Sequence, residues 1–88
     1  MTTPTPIELM RAEATHYEEK QNEVFGYWRD HEIWLQRDVQ SSLGGWYIQV
    51  KHPDGCYLYD GWWRPVHYTS PDEVVAEAFE GACLLEEE

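Results

Sequence analysis

Eighty-eight residues make one small domain, and a chain of this length buries only about 60–65% of the surface its unfolded form exposes, which leaves little room for a deep catalytic cleft. Seventeen Asp and Glu against six Lys and Arg give a formal net charge of −11, which speaks against direct binding of DNA, RNA or an anionic membrane and favours a cationic partner. A hydrophobic share of 42%, with 15% aromatics, is too rich for a disordered acidic tail.

Thr5-Pro6-Ile7-Glu8 is a capping box with proline at the first helical position, where its missing N–H costs nothing. Met10, Ala14, Tyr17, Val24, Trp28 and Leu35 then recur at spacings of three, four or seven, which predicts a helix over about residues 6–23. Trp28, Leu35, Val39 and Leu43 continue the stripe and favour a second helix over about 27–42, kinked near Gly26. The alternative is a pair of strands, since Val24-Phe25-Gly26-Tyr27-Trp28 is β-prone. Ser41-Ser42-Leu43-Gly44-Gly45 reads as a glycine cap and turn.

A hairpin over 46–60 is the clearest β signal. Trp46, Ile48 and Val50 alternate with Tyr47, Gln49 and Lys51, and His52-Pro53-Asp54-Gly55 has Pro and Gly at the second and fourth positions of a type I turn. Asp60-Gly61 reads as another turn or bulge, leaving Trp62 to Tyr68 for a third short strand that Pro65 confines to an edge. Ser70-Pro71-Asp72-Glu73 is a second capping box and opens an acidic C-terminal helix. The expected fold is therefore α+β: an N-terminal helix or helix pair, a small antiparallel sheet and a C-terminal helix in one domain spanning 1–88.

The chemistry-bearing residues point to binding. Residues 70–88 hold seven acidic side chains and no basic one, and Asp72, Glu73, Glu77 and Glu80 lie on the polar face of the last helix. Such a line of charge imitates a nucleic-acid backbone and suits the same Lys/Arg groove, although an acidic helix face also serves solubility alone. Eleven of the thirteen aromatics fall between Phe25 and Tyr68, and Tyr57, Tyr59, Trp62 and Trp63 exceed what a core of this size readily covers. Large, partly exposed aromatics are the usual anchors of protein interfaces.

Catalysis and metal binding find little footing. His52, Cys56, His67 and Cys83 show no metal-ligand spacing, and Cys56 with His67 is no more than a neighbouring thiol and imidazole. No phosphate loop or nucleophile elbow is present. Neither an enzyme nor a cofactor is expected. Two cysteines and an N-terminus without a basic, apolar leader pattern fit a reduced cytoplasmic setting.

In acidity, length and mixed build, carried chiefly by Ser70 to Glu88 and by the aromatic hairpin Trp46 to Trp63, the chain is similar to the small inhibitors that phages make against host defences, including anti-CRISPR and other DNA-mimic proteins. That resemblance implies a stoichiometric inhibitor in the host cytoplasm, docked on a basic nucleic-acid-binding site of a larger protein. Asp72, Glu73, Glu77 and Glu80 would then supply charge pairing, and Tyr57, Tyr59, Trp62 and Trp63 the anchors. The competing expectations are an adaptor or assembly factor using the aromatic hairpin alone and, less favoured, a small metal-binding protein or enzyme using His52, Cys56 and His67; the Trp-rich surface also suits a homodimer.

Overall fold

The computed structural model describes residues 5–40, 44–65 and 70–85. Helices α1 (Pro6–Glu13) and α2 (Pro71–Gly81) cover one side of a five-stranded antiparallel sheet. Its strands β1 (His16–Glu19), β2 (Glu23–Trp28), β3 (His31–Arg37), β4 (Trp46–Lys51) and β5 (Tyr57–Trp63) neighbour one another in chain order. The α+β class is as expected, but the sheet is much larger than a hairpin.

The N-terminal capping box forms as the sequence indicates. Thr5 Oγ1 accepts from the Glu8 N–H, and the Glu8 carboxylate accepts from the Thr5 N–H at 2.9 Å. The helix is shorter than predicted and ends at Glu13, where Ala14 turns extended. Residues 16–19 are strand instead. The predicted second helix over 27–42 is likewise replaced, by β2 and β3.

The misleading periodicity has a physical origin. Tyr17, Val24, Trp28 and Leu35 are inward positions of three consecutive strands joined by short turns. The spacing of seven from Tyr17 to Val24 therefore spans a turn rather than two helical turns, and the same holds from Trp28 to Leu35. The turn at Arg29-Asp30 has both residues at positive φ, 50° and 66°, as a two-residue type I′ hairpin requires. Arg-Asp lacks the Asn-Gly signature that would have announced it.

Gly26 fits β2 to its neighbours. A Cβ there would stand 2.6 Å from the His16 carbonyl oxygen in β1 and 3.1 Å from Met10 Cε of α1. The helix kink expected near Gly26 is therefore absent, and the glycine instead serves as a point of close approach within a strand.

The 46–60 hairpin forms as expected. The Gly55 N–H donates to the His52 carbonyl at 2.8 Å, closing the turn, but a bulge at Val50/Lys51 shifts the register, pairing Tyr57 with Lys51 and Tyr59 with Val50 and so separating two tyrosines expected on one face. Asp60-Gly61 neither turns nor bulges. Asp60 faces Gln49, Gly61 faces Ile48, and Trp62 and Trp63 continue β5 against Tyr47 and Trp46. The separate strand predicted over 62–68 is therefore corrected for its first two residues, while 66–68 lie outside the described residues. Gly44 and Gly45, at φ 72° and 101°, belong to the β3–β4 connection rather than to a helix cap. Ser41, Ser42 and Leu43 lie outside the described residues.

Ser70 is the N-cap of α2 without a side-chain hydrogen bond, and Pro71 occupies the first turn. The helix buries Val74, Val75, Ala78 and Phe79 against the sheet. The Phe79 ring lies 4.8 Å from that of Trp28, and both are essentially inaccessible to water. Ile33, Leu35, Trp46, Ile48 and Val50 complete the sheet side of this core.

Candidate functional site

Side chains alternate along a strand, so burying one side of the sheet against two helices presents the other side to solvent. The exposed side carries an aromatic row across four strands. Phe25 of β2 stands opposite Trp34 of β3, the Trp34 ring lies 6.1 Å from Tyr47 of β4, and Tyr47 lies 5.1 Å from Trp62 of β5. Three inter-strand steps make this row about 14 Å long. At its β1 end, Phe25 packs edge to face with both His16 and Tyr27, 5.8 Å and 5.4 Å away.

Carboxylates are set among these rings. Trp34 Nε1–H donates to Glu23 Oε2 at 2.8 Å, and the Tyr47 hydroxyl donates to Asp60 Oδ1. The bond to Asp60 pushes the Tyr47 phenol above its ordinary pKa, so the ring stays a neutral donor at physiological pH. Glu18, Lys20, Glu23 and Glu32 surround a hollow of about 440 Å³ whose remaining walls are Phe25, Trp34 and Gln49. Glu18 stands 3.2 Å from His16 Nε2. Asp60 and Lys51 lie farther along the face, and Arg64 stacks 4.6 Å over Trp62 while pairing with Asp38 at 3.2 Å.

The residues singled out from sequence divide between the two sides of the sheet. Tyr57 and Trp62 are on the open side, 52% and 53% exposed. Tyr59 and Trp63 point to the helical side and pack against the core. Tyr59 donates to Glu77 of α2 at 2.8 Å, and burial, then that bond, raise its phenol pKa. Asp72, Glu73 and Glu80 are exposed on α2, behind the sheet from Trp62. One flat partner surface therefore cannot touch the α2 acids and the open-face aromatics together. Glu86, Glu87 and Glu88 lie outside the described residues, as does His67.

Sequence reasoning missed Phe25, Tyr27, Trp34 and Tyr47, along with Glu18, Glu23, Glu32 and Asp60. The signal was there in the alternation of Phe25 and Tyr27 with Val24, Gly26 and Trp28, but a helical reading hid it. Cys56 is exposed, and hydrogen bonding to the Asp54 carboxylate pushes its thiol pKa up, making it a poor nucleophile. Among the described residues no group of three His, Cys, Asp or Glu side chains is placed to hold a metal ion, and no helix is long and apolar enough to cross a membrane. The chain matches no protein-family model, no curated protein and no solved structure.

Proposed function

We propose that this protein is a non-enzymatic, stoichiometric inhibitor that docks on the basic, nucleic-acid-binding surface of a larger protein, in the manner of the phage-encoded inhibitors its sequence resembles. The observation that carries the reading is the uncovered face of the sheet, where Phe25, Trp34, Tyr47 and Trp62 alternate with Glu18, Glu23, Glu32 and Asp60. Rings provide desolvated anchors with little rotamer entropy to lose, and carboxylates provide complementarity to Lys and Arg. An overall charge of −11 adds long-range attraction to a basic target and repels nucleic acid itself.

On this reading the acids of α2 play a different part. Asp72, Glu73 and Glu80 steer the encounter from behind the docking face and act on the association rate more than on the final contacts. Glu77 and Tyr59 hold α2 against the sheet.

The test is affinity capture with the full chain as bait, washed at about 0.1 M and then about 0.5 M salt, where exposed charge pairs are largely screened. The expected partner is a basic protein that elutes with salt and is displaced by duplex DNA or RNA. A neutral partner retained at high salt would overturn the reading in favour of an adaptor docking through Tyr47 and Trp62.

A further inference from the structure

The chain contains a worked example of how it holds a guanidinium group. The Trp28 indole N–H donates to Glu13 Oε1 at 3.1 Å, and the Arg29 guanidinium lies 4.5 Å over the Trp28 ring with its Nη2 3.3 Å from the same oxygen. Ring face and carboxylate are thus presented together, and arginine uses both. Arg64 repeats the stacking and the ion pair, though not the indole bond, 4.6 Å over Trp62 and 3.2 Å from Asp38. Stacking and charge-assisted hydrogen bonding favour the planar guanidinium over an ammonium point charge.

On the open face the same pair recurs with the hollow above it. The Trp34 indole N–H donates to Glu23 Oε2 at 2.8 Å, which fixes the carboxylate beside the ring. Phe25 extends the aromatic floor on one side, and Glu18 and Glu32 add charge at the rim, opposed by Lys20. About 440 Å³ lies within the roughly 300–1,000 Å³ range of small-ligand sites and suits one long side chain from a partner. The sheet face around it is covered by neither helix, and the three carboxylates of the hollow against one lysine complement a basic side chain.

We propose that this hollow is an arginine-selective anchor site, in which a partner's guanidinium stacks on Trp34 and pairs with Glu23 and Glu32. The proposal rests on the reading of the open sheet face as the docking surface, and gives that face its side-chain preference. Phe25 and Gln49 would position the arginine rather than pair with it. Lys20, on the same rim, opposes any cation that enters and is outnumbered there by Glu18, Glu23 and Glu32.

The test titrates the full chain with an oligoarginine peptide and with an oligolysine peptide of equal length, following the Trp34 indole N–H by NMR and affinity by calorimetry. The expected result is a Trp34 shift with oligoarginine, an arginine preference of roughly fivefold, and loss of that preference in Trp34→Leu. Glu23→Gln, which keeps the indole acceptor, should weaken oligoarginine about tenfold, whereas Glu80→Gln on α2 should not. Equal affinity for both peptides, shifts confined to α2, or a concentration-dependent Trp34 shift without peptide (self-association) would each overturn the proposal. Partner capture that depends on Trp62 while oligoarginine leaves Trp34 unmoved would overturn the arginine site alone and leave the docking face standing.

Discussion

Replacing Gly26 by alanine tests the strand arrangement on which the open face depends. The added Cβ would lie 2.6 Å from the His16 carbonyl oxygen, well inside ordinary contact, and that oxygen belongs to backbone held in the β1–β2 ladder. Met10 Cε, at 3.1 Å, can yield by a small side-chain shift, but β1 must move as a strand. Overpacking of this kind costs about 1–3 kcal/mol. Alanine recovers about 0.4–1 kcal/mol by restricting the unfolded chain, so the net loss is about 1–2 kcal/mol. For a domain of this size that lowers Tm by roughly 4–16 °C. Gly61 is the control, since a Cβ there meets nothing within 4 Å, and Gly61→Ala should be neutral or slightly stabilising. Urea unfolding followed by tryptophan fluorescence measures both, with an unchanged m-value showing that only stability moved. A Gly26→Ala protein as stable as wild type would refute the β1–β2 approach, and with it the placing of His16 and Glu18 beside Phe25.

Phe79→Ala, which empties the site against Trp28, should cost about 3–5 kcal/mol, a large share of what so small a domain possesses, and thermal melts will show it. Tyr59→Phe removes the part-buried hydroxyl bond to Glu77 and should cost about 1 kcal/mol in urea unfolding while leaving partner capture intact. Glu19 accepts from the Tyr17 hydroxyl at 2.6 Å and pairs with Arg11 at 2.9 Å, which together hold its carboxyl below the ordinary glutamate range. A carboxylate depressed in the folded state stabilises at neutral pH and loses that contribution as acid protonates it. With both partners substantially exposed the effect is under about 1 kcal/mol, and Glu19→Gln should flatten the acid limb of the stability–pH curve by that amount.

The elements that read correctly from sequence are those whose signals are local. Thr5-Pro6-Ile7-Glu8 caps α1, and Pro53 and Gly55 form the turn between β4 and β5. Alternation of Trp46, Ile48 and Val50 with polar neighbours gave the correct face of β4. The first three strands were hidden because turns of two residues placed inward positions seven apart, mimicking a helix, and because Arg29-Asp30 adopts positive φ without glycine or asparagine. The candidate face followed the same fate. Tyr57 and Trp62 were legible as exposed aromatics, whereas Trp34 and Glu23 become a pair only when β2 and β3 are set side by side. Tyr59 and Trp63 read as surface anchors until their pairing with Val50 and Trp46, past the bulge that leaves Tyr57 on the other side, turned them toward the core.

On the proposed reading a basic partner docks on the open face of the sheet rather than on α2. The most direct measurement compares two charge-reversed proteins against the captured partner by surface binding at about 0.1 M salt: Glu23, Glu32 and Asp60 to Lys in one, and Asp72, Glu73 and Glu80 to Lys in the other. The first should abolish binding, while the second should slow association and leave the dissociation rate near that of the unaltered chain. Full binding by the open-face variant, with loss in the α2 variant, would contradict it.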